Sequence, residues 1–186
     1  MEIDLQVHSM VSSKDVQNFQ IYGIALAEVE IDGLTGEWQF IRADILEDAG
    51  RSVNPEIDVG QVEGGFIMGC GYWTYENLVY DPNNGELLTN RTWDYWVPQA
   101  RDIPQDFRVY FRKGSFSTEL ILGAKGVGEP ATCMGIVVAF ALRAAIAAMR
   151  LESGIPTKQW FPLDGAFTVD KIGVSCAVKP EDFKFY

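Results

Sequence analysis

Histidine, cysteine and basic side chains are all scarce in this chain of 186 residues, and each shortage removes a class of chemistry. The single histidine, His8, sits in an irregular N-terminal stretch and offers neither a histidine metal set nor a hydrolytic triad. Cys70, Cys133 and Cys176 are too widely spaced for a Cys-x-x-Cys pair and odd in number for a closed disulfide framework, so they read as free thiols. Fifteen Lys and Arg against 26 Asp and Glu leave a formal charge of −11, which argues against a nucleic-acid partner, because such binding is driven by basic side chains displacing counterions. Glu2 and Asp4 interrupt the opening residues where a secretory signal would be basic and then apolar, so the expected compartment is cytoplasmic. Without a secretory context, the sequon Asn90-Arg91-Thr92 reads as an ordinary loop tripeptide.

What is present is enough apolar material for a core: 47% hydrophobic against 22% charged residues is a globular balance. Residues 19–32 alternate as a half-buried strand, the stretch 33–36 supplies a glycine turn, and 38–46 returns as a partner strand. Asn54-Pro55 then signals a helix start, and the helix that follows carries Gly60, Gly64, Gly65, Gly69 and Gly71. Each glycine costs about 1 kcal/mol relative to Ala inside a helix, so their number points to close approach by another backbone or a cofactor. Asn84-Gly85 predicts a second hairpin around 77–89, 107–111 a further strand, and 130–150 one long Ala-rich helix. Arg143 interrupts the apolar run of that helix below the roughly 20 residues a bilayer needs, so a core helix is expected and no membrane. The fold class is α+β: antiparallel hairpins packed with two helices, preceded by an irregular segment 1–18, with the main domain over 19–152 and a C-terminal tail over 153–186.

The chemistry concentrates in Lys125-Gly126-Val127-Gly128-Glu129-Pro130, a glycine loop delivering a carboxylate to a helix entrance. Proline favours the first helical position and disfavours the α region for the residue before it, so Glu129 is expected as an extended N-cap. The helix dipole would favour its ionised form and burial its protonated form, a combination suited to a base. Gly126 and Gly128 would let backbone amides approach an anionic group. Gly-x-Gly-Glu-Pro alone is a weak motif, for which a plain loop-to-helix junction is the more ordinary reading.

Its surroundings carry more. Ala27-Glu28-Val29-Glu30, Leu34-Thr35-Gly36, Asp48-Ala49-Gly50-Arg51-Ser52-Val53-Asn54-Pro55, Ile57-Asp58-Val59-Gly60-Gln61-Val62-Glu63-Gly64, Asp102-Ile103-Pro104, Phe107-Arg108-Val109 and the Lys125 to Pro130 loop occur in an order and spacing that resemble the molybdenum hydroxylases, the family of aldehyde oxidase and xanthine dehydrogenase. Asn90-Arg91-Thr92-Trp93, Cys133-Met134 and Trp160-Phe161-Pro162-Leu163-Asp164 look more like insect-type aldehyde oxidases. Ala131, where a second proline is frequent, and Asn77 depart from the pattern.

The resemblance implies the second half of a molybdopterin-binding domain. In it Glu129 is the catalytic base acting on a hydroxyl held by molybdenum, Gln61 hydrogen-bonds the pterin, Lys125, Gly126, Val127 and Gly128 wrap the cofactor, and no residue ligates the metal. The implied substrate is a small aldehyde or N-heterocycle. The implied partners are upstream domains of the same enzyme, with 2Fe-2S clusters and FAD confined to them, and a second copy in a homodimer. A non-catalytic binding or dimerisation module built on the same fold, or the equivalent part of a xanthine dehydrogenase, are the alternatives. In the first reading this piece is expected to be inactive by itself.

Overall fold

The structure is a computed structural model, and it describes Ser9 and residues 19–115 and 121–179. His8 lies outside the described residues.

The hairpin forms as its alternation predicts. Strand β1 (Gly23–Ile31) pairs antiparallel with β2 (Trp38–Glu47), and a bulge at Glu28/Val29 adjusts the register. Its turn is fixed by Asp32, whose Oδ1 accepts the Leu34 amide at 2.8 Å. A correction concerns the third strand: β3 (Asp106–Phe111) joins the other edge of β2 in parallel, giving the order β1-β2-β3. A parallel neighbour needs a long crossover, and the chain between β2 and β3 supplies one.

Helix α1 (Pro55–Thr74) occupies that crossover, capped by Asn54, whose side chain accepts from the Glu56 and Ile57 amides. The second expected hairpin is reduced to a turn with one bridge, Tyr80 to Leu87, ahead of β3. After β3 the expected single helix is two: α2 (Gly128–Met134) and α3 (Val137–Glu152). The break falls at Gly135, where a Cβ would lie 2.6 Å from the Gly69 carbonyl carbon, so contact with α1 bends the chain there.

Core residues come from the inner face of the sheet (Phe40, Ala43, Ile45), from α1 (Val62, Phe66) and from α3 (Val138, Leu142, Ile146). Alanines 25, 27 and 43 on the sheet and the Ala-rich helix sequence let α3 lie close to β1. The helical stretch Gly128–Glu152 is long and apolar enough to cross a membrane by length and composition, while those residues of α3 are packed inside this chain.

Beyond α3 the segment expected as a tail adds Phe161, Phe167 and helix α4 (Val169–Cys176) to the same core. Arg143 and Arg150 of α3 stack on the Phe161 ring at 4.3 and 4.6 Å, and Arg150 donates to the Ser175 carbonyl at 2.9 Å. The start of α4 rests on the hairpin turn at Gly36, whose φ is +78° and whose Cβ, if present, would strike the Val169 carbonyl oxygen at 2.1 Å.

Candidate active site

Two helices meet backbone to backbone at the centre of the candidate site. A Cβ on Gly65 of α1 would stand 2.3 Å from the Gly128 carbonyl oxygen, and one on Gly69 would stand 2.1 Å from that of Thr132. Alpha carbons without side chains allow this approach, so α1 dictates where the first turn of α2 sits. Gln61 lies one turn before Gly65, and its Oε1 would be 3.3 Å from a Cβ placed on Gly128. The structure thus brings Gln61 to the loop that carries Glu129.

Glu129 itself is displaced from its expected position. The N-cap of α2 is Val127, with φ −112° and ψ −12°, which makes Glu129 the second helical residue and not an extended cap. Pro130 in the third position is accommodated because first-turn amides have no acceptor within the helix. Around α2, Val127 and Ala131 are buried in the core, Gly128 and Thr132 approach α1, and the remaining direction carries Glu129 and Cys133, both exposed. This chain therefore does not supply the burial expected around Glu129. Helical spacing sets the carboxylate on the open side of the α1/α2 seam, where the free amides of the first turn favour a negative charge.

The loop ahead of α2 is held from behind. Lys125 turns inward: its Nζ pairs with Asp48 Oδ2 at 2.9 Å, both side chains almost wholly buried, and donates to the Gln20 carbonyl at 2.7 Å. Its backbone amide donates to the Ala49 carbonyl at 3.2 Å. The Lys125 backbone amide, expected among the loop's cofactor contacts, is thus engaged by Ala49, and its ammonium by Gln20 and Asp48 at the strand ends. Burial pushes the Asp48 carboxyl up, but the Lys125 ammonium and the Gly50 amide outweigh it and hold Asp48 below the usual range. Val127 fills the core, while Gly126 is exposed with open space where a Cβ would be.

Sequence reasoning missed Glu47. It ends β2 on the inner face, fully buried, and neither carboxylate oxygen has a hydrogen-bond partner among the described residues. Burial, reinforced by the charges of Asp58 and Asp48, pushes it up to about 7. Its signal was the two-residue period itself, which places Ala43, Ile45 and Glu47 on one face.

An exposed acid, an exposed amide and bare backbone thus lie close together along the α1/α2 seam. A family model described as the molybdopterin cofactor-binding domain matches residues 3–104. Rice (Oryza sativa subsp. japonica) xanthine dehydrogenase is 39% identical over 94% of this chain and 14% of its own length. Guinea pig (Cavia porcellus) aldehyde oxidase 1 is 42% identical over 84% of this chain and 12% of its own. Among solved structures, quinoline 2-oxidoreductase from Pseudomonas putida 86 superposes with a TM-score of 0.66 at 29% identity, over 82% of this chain and 18% of that one. CO dehydrogenase from Oligotropha carboxidovorans shares the fold with a TM-score of 0.68 at 24% identity, over 83% and 18%.

The chain belongs to the molybdopterin cofactor-binding domain family, within the molybdenum hydroxylases. It spans about an eighth of the length of the curated relatives it matches.

The residues present suit such a cofactor by what they leave unused. The Gln61 amide, both donor and acceptor, has no partner among the described residues. Among the described residues a Cβ on Gly60, Gly64 or Gly126 would meet nothing within 4 Å, and none of the three has a positive φ, so neither contact nor backbone conformation there calls for glycine.

Proposed function

We propose that this chain forms the base-bearing wall of the molybdenum site in an enzyme that oxidises aldehydes. The observation that carries this reading is the meeting of Gln61 and the Glu129 loop at one open seam, although they are far apart in sequence. The molybdenum cofactor, when bound, would accept the two electrons of the oxidation and hold the water-derived oxygen that is transferred. Gln61 holds the pterin edge through its amide, and Gly126 and Gly128 bring their backbone within reach of it. Glu129 would serve as the base, taking a proton onto its carboxylate at the entrance of α2, and would orient the oxygen that gives it up toward the substrate carbonyl. Lys125 and Asp48 keep the loop from retreating, a positioning role. Enclosure of Glu129, and with it the exclusion of water that strengthens a base, comes from the remainder of the enzyme.

Aldehydes are preferred over N-heterocycles on the insect-type features around Trp93, Cys133 and Trp160. The setting we propose is a cytoplasmic homodimer whose other domains carry 2Fe-2S clusters and FAD. A non-catalytic module on the same fold is the second reading, favoured by the exposure of Glu129 in this chain. The test is Glu129→Gln in the intact enzyme. Loss of about two to four orders of magnitude in aldehyde turnover, with molybdenum content unchanged, is the expected result for a general base. Turnover near wild type would overturn the assignment.

A further inference from the structure

Helix α1 is apolar nearly all round. Its charges are confined to Glu56, Asp58 and Glu63, and none occurs from residue 64 to its end. A helix of this composition belongs inside a protein, with no face left to water. Within this chain its inner face is filled by Val62 and Phe66 against the sheet, and its flank by Gly65 and Gly69 against α2. The outward face is bare: Ile57, Met68 and Tyr72 are 61%, 69% and 64% exposed, and the glycine at 64, between them, opens onto empty space. Beside it lies an apolar cavity of about 550 Å³, walled by Ile67, Met68, Val97, Pro98 and Phe107, with Glu63 and Glu76 on its rim.

We infer that the C-terminal half of this face, from Gly64 to Tyr72, seats a polypeptide segment from the remainder of the same enzyme, one presenting an apolar ridge with a Lys or Arg beside it. The cavity takes an apolar side chain, Gly64 admits close backbone approach, and Glu63, on a chain of net charge −11, selects a basic neighbour, while Glu76 is held by the Tyr95 hydroxyl. Polypeptide to fill it is to hand, because this chain covers only 12–14% of its curated relatives. The helix then serves two contacts: the cofactor at its Gln61 end, polypeptide beyond. This rests on the reading of the chain as one part of a larger molybdenum hydroxylase.

Two measurements on the intact enzyme test it. In hydroxyl-radical footprinting of the unsubstituted protein, Met68 and Tyr72 lose most of the reactivity they show once the enzyme is unfolded; reactivity retained at the unfolded level would overturn the inference. With Met68→p-benzoylphenylalanine, ultraviolet irradiation crosslinks to a peptide outside this region that contains Lys or Arg beside apolar residues. In a mixture of light and heavy isotope-labelled enzyme, a crosslink to this same region of a second copy would overturn it, as would attachment to the pterin. Molybdenum content in the same preparations reports separately on the cofactor reading: a protected face in metal-free protein leaves the docking intact and removes the proposed chemistry, and an exposed face in metal-loaded protein does the reverse.

Discussion

At the scale of single residues, two buried carboxylates lie next to each other in sequence and behave oppositely. Asp48 has its cation, Lys125 at 2.9 Å. Removing one partner of a buried pair strands the other, and Lys125→Met is expected to cost about 3 to 5 kcal/mol, read as a lower denaturation midpoint. Glu47 has no partner among the described residues and is held protonated by its burial up to about 7, against an ordinary 4.5. The folded chain thus binds a proton that the unfolded chain gives up in this window. The contribution of Glu47 is present in full below 4.5 and is lost as pH rises through about 7, by something on the order of 3 kcal/mol. Glu47→Leu removes the titrating group, so its stability curve flattens between pH 5 and 8 and its midpoint exceeds that of the wild type at pH 8. Parallel curves for the two proteins across that range would contradict this account.

Among the elements, the α1/α2 seam distinguishes two kinds of glycine that look alike in sequence. Gly65→Ala drives a Cβ into the Gly128 carbonyl oxygen and must push α2 outward, with an expected cost of about 1 to 3 kcal/mol in thermal or chemical melts and a shift of Glu129 away from Gln61. Gly60→Ala meets nothing in this chain and should stabilise it by about 0.5 to 1 kcal/mol through helix propensity alone. The first hairpin and the start of α1 were legible because their causes are local: a two-residue period, Asp32 at the turn, Asn54 and Pro55 at the helix entrance. The parallel pairing of β3 was not, because a six-residue alternating strand does not say which neighbour it will join after a long excursion. Neither was the break at Gly135, which exists because of contact with Gly69, nor the start of α2 two residues early, since Pro130 is as acceptable in the third helical position as in the first. Glu129 and Gln61 were legible as motif residues; that Lys125 faces inward depended on Asp48, a partner from the far end of β2.

On the scale of the whole molecule, apolar surface is left open on two sides. Ile57, Met68 and Tyr72 line the outer face of α1, and Ile24, Leu26, Leu46 and Tyr110 lie on the outer face of the sheet, beside the ion pairs of Arg42, Asp44, Asp106 and Arg108. Contiguous patches of this kind are rare on proteins that live as monomers. A net charge of −11 opposes association, but repulsion between like-charged copies is screened over about 8 Å at physiological salt, while apolar contact is not. Salt therefore tips the isolated chain toward itself. Purified alone, it should sediment as a monomer at low ionic strength and as larger species at 0.5 M NaCl, with bound hydrophobic dye falling as it associates. Met68→Glu with Leu26→Glu should keep it monomeric at both salts. A wild-type chain that stays monomeric and dye-free at high salt would mean that these faces are satisfied within the chain, contrary to their exposure.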